Sequence, residues 1–200
     1  TFAQTRWEPG SVIKPILVAL LLDHGVIQEN SQFSDKGYVV ADHYRIDNHI
    51  PDNGAHYDID TFLGTSRNTG AIQILQRLGG YSATAMQRWQ DMLTHVVGPA
   101  GYVPNFRQLP DKNYRYDESS FGVGITITPY RLAQIYAAFS NNGQDCAPDA
   151  GCRQLFSAGA AAYIHQELAN VVHNFPGQKA ADTRCNTGGK SGTALSAQPG

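Results

Sequence analysis

The sequence predicts an α+β chain dominated by helices. Several stretches place apolar residues at helical spacing between cap and glycine signals. One extended run near the C-terminus, residues 188–195, reads as a glycine-bearing strand. With 200 residues, 42% of them hydrophobic, the chain can bury roughly 70% of its unfolded surface. A disulfide-only miniprotein and global disorder are excluded. Charged residues are only 16%, against about 25% in a typical soluble domain. The net charge of −2 gives no bulk attraction to nucleic acid. The longest apolar run, residues 16–22, is far shorter than the ~20 residues that cross a bilayer.

In chain order, Pro9-Gly10 and Ser11 precede an apolar stretch in which Ile13, Leu17, Leu20 and Leu21 share one helical face. Pro15 sits in the first turn, where a missing N–H costs least. A mostly buried helix starting near Ser11 is expected. Residues 25–58 are loop-rich, with a short strand at 38–40. They bring His43, His49 and His56 among Asp42, Asp47, Asp52 and Asp58. Without a helical i,i+4 pair or an H-x-x-E-H arrangement, this cluster reads as a solvated polar loop rather than a metal site. Residues 60–64 read as a turn. A helix over 68–78 follows, ended by Gly79-Gly80, and another over 83–96 carries Met86, Trp89 and Leu93. Residues 98–120, rich in Pro and Tyr, read as loop. Thr128-Pro129 supplies an N-cap and an N1 proline for a helix with Leu132, Ile135, Tyr136 and Phe139 on its buried stripe. Ser157 caps a last helix through Ile164, Leu168, Val171 and Val172. Cys146 and Cys152 bracket a Pro- and Gly-containing loop and read as a loop disulfide, with Cys185 a free or buried thiol; their spacing fits no zinc pattern.

Three short strings carry chemistry: Ser11-Val12-Ile13-Lys14, Ser66-Arg67-Asn68 and Lys190-Ser191-Gly192-Thr193. The first two are expected by chance about 0.3 and 0.6 times in such a chain, the third on the order of 0.003 times. A nucleophilic serine needs a base within hydrogen-bond reach and donors for the developing oxyanion. Ser11 and Lys14 at i,i+3 lie on one helix face, so a neutral Lys14 amine can take the Ser11 proton. The competing reading, an N-cap serine beside a solvated lysine, is weakened by the apolar neighbours Val12, Ile13, Ile16 and Leu17, among which a lysine is costly without a polar site. Ser66 and Asn68 place a hydroxyl and an amide on a turn entering a helix, suited to relaying a proton and holding a substrate amide. A plain helix cap explains them equally well. Lys190 to Thr193 offer a cation, two hydroxyls and a glycine that admits a substrate backbone, or else only a strand with an exposed lysine.

In this order the motifs resemble the penicillin-binding transpeptidase domain of the serine acyltransferases that crosslink peptidoglycan. The likeness runs along most of the chain: EPGSVIKP around Ser11, TSRNTGAIQI around Ser66, GVGITITPYRLAQIYAAFSNNG before the third motif and GGKSGTA around Lys190. The intervening text is similar to the monofunctional, class B members. The resemblance implies one transpeptidase domain over residues 1–200, made of a helical subdomain and an antiparallel sheet with several strands outside these residues. Ser11 resembles the acylated nucleophile and Lys14 its base, with a lowered Lys14 pKa expected from burial and from Lys190. Ser66 and Asn68 resemble the proton relay and substrate-amide contact. Lys190, Ser191, Gly192 and Thr193 resemble the substrate-carboxylate and electrostatic elements, and the backbone N–H groups of Ser11 and Thr193 the oxyanion hole. Arg67 departs from the small residue common at its place and is expected to alter the charge of the groove.

The implied partners are a peptidoglycan stem peptide ending in D-Ala-D-Ala, β-lactams and cell-wall assembly proteins, with no cofactor, no metal and no nucleic acid. The implied location is the periplasm or the outer face of the bacterial cytoplasmic membrane, on a longer membrane-anchored protein active in cell shape or division. A β-lactamase is disfavoured, because no E-x-x-L-N string, Tyr-x-Asn or Ser-x-Val second motif occurs. A D,D-carboxypeptidase, a β-lactam sensor and an idle cell-wall scaffold remain alternatives. A strand at 188–195 without a neighbour would leave an open edge, so a trimmed piece of a longer protein, poorly stable alone, is expected.

Overall fold

The computed structural model describes residues 1–49, 55–147, 151–175, 184, 185 and 187–193. A 3-10 turn at Gly10–Ile13 runs directly into helix α1, Lys14–Asp23. Sequence periodicity gave this helix one apolar face, but every residue from Lys14 to Leu21 is buried. A helix apolar on all sides belongs at the centre of a core, and α1 is packed by α2 (Ile59–Thr65), α3 (Asn68–Gln76) and α7 (Ala158–Asn174). Around this centre lie α4 (Ala83–Val97), α5 (Lys112–Ser119) and α6 (Pro129–Phe139).

The expected α+β, helix-rich architecture is present. Its strands are short and pair two by two, antiparallel. β1 (Phe33–Asp35) pairs with β4 (Ala55–Tyr57), β2 (Tyr38–Ala41) with β3 (Tyr44–Asp47), β5 (Gly101–Tyr102) with β6 (Thr126–Ile127), and β7 (Gln144–Ala147) with β8 (Gly151–Gln154). Among the described residues no helix is long and apolar enough to cross a membrane.

The expected caps Thr128 and Ser157 hold α6 and α7, accepting from the backbone N–H of Arg131 and Ala160, and Ser82 accepts likewise from Ala85 N at the start of α4. The Cys146–Cys152 disulfide closes the β7–β8 hairpin and Cys185 is a free, exposed thiol. Three expectations need correction. Residues 60–64 are part of α2, because Asp58 accepts from Thr61 N at 2.9 Å and Ile59, Phe62 and Leu63 form a buried i,i+3,i+4 set. Residues 98–120 are not all loop: α5 lies among them, its sequence KNYRYDES too polar to show a helical stripe. Its Tyr116 is nevertheless fully buried, edge-on to Phe106. Residues 188–193 form no strand. They lie against α7, where Gly189 N donates to Leu168 O at 3.0 Å, and no described strand offers them a ladder. Residues 194 and 195 of that expectation fall outside the described residues, as does Asp52 of the His/Asp cluster.

Candidate active site

Lys14 is the centre of the site. Its side chain is fully buried, 0% exposed, at the first residue of α1. Burial of an ammonium is tolerable only where acceptors replace water, and the turn between α2 and α3 supplies them. Nζ lies 2.7 Å from the Ser66 carbonyl O, 3.0 Å from Asn68 Oδ1, 3.3 Å from Ser66 Oγ and 3.0 Å from Ser11 Oγ. The Ser66 carbonyl is an obligate acceptor. Asn68 Nδ2 donates to Asp47 O at 3.3 Å, which orients Oδ1 toward Lys14 as a second one. A neutral amine has two N–H groups and one lone pair. With the two N–H groups directed at these acceptors, the lone pair is free for the Ser11 hydroxyl. Burial is the main cause holding the Lys14 pKa well below that of a free lysine, and the charge of Lys190 adds to it.

The turn achieves this through an uncommon backbone. Ser66 is left-handed, φ 57° and ψ 42°, at the end of α2, and Asn68 opens α3 two residues later. A left-handed non-glycine residue costs about 1–2 kcal/mol and persists only where its surroundings fix it. Here Thr69 N and Thr69 Oγ1 both reach Asn48 Oδ1, at 3.1 and 2.9 Å, and Thr69 Oγ1 lies 2.8 Å from Asp35 Oδ2. Arg67 does not enter the groove, contrary to the sequence expectation. Its side chain is turned inward, 10% exposed, with Nη1 3.6 Å from Asp35 Oδ2 and the guanidinium 4.9 Å above the Tyr57 ring.

The third motif closes over the first two. Lys190 Nζ donates to Ser66 Oγ at 2.8 Å and to Ser191 O at 2.8 Å. Burial lowers its pKa to about 8. Gly192 lies on the Ser11 turn: a Cβ there would stand 2.7 Å from Val12 Cγ1 and 3.2 Å from Val12 N. Ser191, Gly192 and Thr193 are exposed. The structure thus brings Ser11, Lys14, Ser66, Asn68 and Lys190 into one hydrogen-bonded chain and lays Gly192 beside it, while Thr193 is exposed at the rim.

Residues that the motif reading missed hold the Ser11 turn. Tyr136 OH donates to Val12 O at 2.8 Å, Gly10 N donates to Gly122 O at 3.2 Å, and Gly124 N donates to Glu8 Oε1 at 2.8 Å. A side chain at Gly122 would collide with the Gly10 backbone. The paired glycines of Gly122-Val123-Gly124, both at positive φ, were the signal of this close approach. The acidic residues of the His/Asp cluster have other work: Asp42 accepts from Asn113 N and Tyr114 N at the start of α5, Asp47 pairs with Arg45, and Asp58 caps α2.

A peptidoglycan D,D-transpeptidase FtsI homolog of Mesostigma viride is 30% identical over 71% of this chain and 26% of its own length. A probable peptidoglycan D,D-transpeptidase PbpC of Pseudomonas aeruginosa is 29% identical over 96% of this chain and 36% of its own. The chain therefore spans about a quarter to a third of the length of these relatives. Among solved structures, the D,D-transpeptidase domain of a peptidoglycan glycosyltransferase from Eggerthella lenta superposes with a TM-score of 0.82 at 19% identity, over 96% of this chain and 54% of that one. The transpeptidase domain of penicillin-binding protein 3 from Burkholderia pseudomallei gives 0.78 at 23% identity, over 98% and 64%. At these identities the structures establish the fold alone. The family model of the penicillin-binding protein transpeptidase domain matches residues 1–200, and the chain belongs to that family.

Proposed function

We propose that the chain is the catalytic part of a serine D,D-transpeptidase that crosslinks peptidoglycan stem peptides through an acyl-enzyme on Ser11. The observation that carries this reading is the fully buried Lys14, with Nζ 3.0 Å from Ser11 Oγ and its other partners supplied by Ser66 and Asn68. Lys14 Nζ takes the Ser11 proton as Oγ bonds to the carbonyl carbon of a D-Ala-D-Ala terminus. The backbone N–H groups of Ser11 and Thr193 receive the oxyanion. When the tetrahedral adduct collapses, the C–N bond breaks and the leaving D-Ala amine takes a proton passed through Ser66 Oγ, which Lys190 contacts. Lys190, Ser191 and Gly192 hold the substrate carboxylate and backbone, and Asn68 its amide. A second stem-peptide amine bonds to the ester carbonyl carbon and loses a proton to Lys14; as the C–Oγ bond breaks, Lys14 returns that proton to Ser11 Oγ, leaving the crosslinking amide. A β-lactam carbonyl enters the same step and leaves Ser11 acylated.

The substrate class implies a workplace in the periplasm or at the outer face of the cytoplasmic membrane, within the cell-wall assembly that serves growth or division. The test is the mass of the full-length protein after exposure to a penicillin. We expect one adduct, localised to Ser11 and absent from Ser11→Ala. A folded, unlabelled protein would sink the acyl-enzyme reading.

A further inference from the structure

The middle residue of the second motif has been given no task. Ser66 and Asn68 face Lys14, whereas Arg67, in extended conformation between them (φ −64°, ψ 129°), sends its side chain to the opposite side of the turn. There it meets the β1–β4 ribbon at two points, one electrostatic and one aromatic. Asp35 closes β1 and Tyr57 closes β4. The Asp35 side chain is 0% exposed, and a buried carboxylate requires a cation or several donors. Arg67 supplies the charge at 3.6 Å, while Gly37 N and Thr69 Oγ1 supply hydrogen bonds of 2.7 and 2.8 Å. The planar guanidinium also lies 4.9 Å above the Tyr57 ring, a stacking that arginine provides and lysine does not reproduce. Gly70 makes room for both: a Cβ there would stand 3.1 Å from Tyr57 Oη and 3.2 Å from Arg67 Cβ.

We infer that Arg67 is a positioning residue of the acylation centre, clamping the Ser66–Asn68 turn to Asp35 and Tyr57 so that two acceptors hold the Lys14 N–H groups and its lone pair is left to Ser11. The inference rests on the acyl-enzyme reading above. The clamp acts through the left-handed Ser66, whose carbonyl meets Lys14 Nζ only while that backbone is held. Without it, the amine rotates among its four partners and water enters the turn. Solvation favours the ammonium form, so the base is lost over part of its working range.

The test compares wild type, Arg67→Ala, Arg67→Lys and Asp35→Asn in the full-length protein, measuring the rate constant of acylation by a fluorescent penicillin from pH 6 to 9 alongside Tm. Displacement of a reacting group by about 1 Å costs up to about 100-fold. We expect Arg67→Ala to slow acylation at least about tenfold and to move the ascending limb of the pH profile to higher pH, with Arg67→Lys regaining part of both. A purely structural arginine would lower Tm and leave the limb in place; that result, or an unchanged rate constant, overturns the inference while the acyl-enzyme reading stands. Should Arg67→Ala not fold, Arg67→Lys and Asp35→Asn carry the same two outcomes. An unlabelled wild type overturns both readings together.

Discussion

Lys14 and Asp117 are both fully buried ionisable side chains, each 0% exposed, and each has its pKa displaced toward the neutral form. Asp117, on α5, is pushed up to about 7 by burial, against the opposing effect of hydrogen bonds from Tyr81 OH at 2.7 Å and Gln76 Nε2 at 3.2 Å. Both of those partners donate. They hold the carboxylate and occupy it, so Asp117 joins α3, α5 and Tyr81 and offers nothing to a substrate. Lys14 is surrounded instead by acceptors and by the Ser11 and Ser66 hydroxyls, and among the described residues Lys190 and the exposed segment 191–193 lie beside them. A displaced pKa therefore does not by itself mark a catalytic group. What separates the two regions is the kind of partner and the way to solvent.

The largest break in this comparison comes from removing the amine. Lys14→Ala deletes the proposed general base; such a group typically contributes 10²–10⁴-fold, and we expect the acylation rate constant of Ser11 to fall by about that factor with the protein still folded. A Lys14→Ala variant that acylates at near wild-type rate would return Lys14 to the class of Asp117, a satisfied buried charge. In wild type we expect a bell-shaped pH profile of acylation, rising as Lys14 loses its proton and falling as Lys190 is neutralised near pH 8.

The two regions also differ in how far the sequence revealed them. The Ser11–Lys14 pair was legible because i,i+3 spacing on a helix fixes its geometry locally, and K-S-G-T because it is rare. The helices capped by Thr128 and Ser157 were legible for the same local reason. Asp117 was invisible, because α5 is polar throughout and its burial comes from tertiary contacts with Phe106 and α3. Apart from β2, expected at 38–40, the short strands escaped for a related cause: β7 and β8 read Gln-Asp-Cys-Ala and Gly-Cys-Arg-Gln, with no alternation to betray a ladder. Arg67 was misplaced because position in a motif says which turn a residue belongs to, but its side-chain direction depends on Asp35, 32 positions away in the chain.

Tyr81→Phe sharpens the comparison from the Asp117 side. It removes a donor from a buried group that is ionised at pH 8 and largely protonated at pH 5. A hydrogen bond to a charged group contributes about 2 kcal/mol and one between neutral groups about 1 kcal/mol. We expect Tm to fall by roughly 4–8 °C at pH 8 and about half that at pH 5, given about 2–4 °C per kcal/mol for a chain of this length. Thermal melts at the two pH values check it, and the acylation rate should not change. Equal losses at both pH values would mean that Asp117 keeps one protonation state throughout.

The smallest effect is expected at a second buried carboxyl. Glu167 on α7 has its pKa raised to about 7, first by burial, then by the charge of Asp60 on α2, within hydrogen-bond reach, and Asn170 Nδ2 donates to its Oε1 at 3.3 Å. Asp58 faces it as well. Glu167 Oε2 and Asp60 Oδ1 are buried without donors, and we expect one proton shared between the two carboxyls to link α2 to α7. Because the folded chain holds that proton up to about pH 7 while the unfolded chain releases it near its ordinary carboxylate pKa, the unfolded state binds fewer protons between these values and stability falls as pH rises across them. Lys14 acts in the opposite sense: its lowered pKa makes the unfolded state bind more protons, so its contribution grows as pH rises through the folded value. Glu167→Gln replaces the shared proton with a permanent amide donor to Asp60. We expect the variant to match wild type at pH 4.5 and to melt about 2–4 °C higher at pH 8, a gain of about 1 kcal/mol. A variant less stable than wild type at pH 8 would show that the carboxyls are not joined by a proton, and that the α2–α7 contact depends on the Glu167 charge instead.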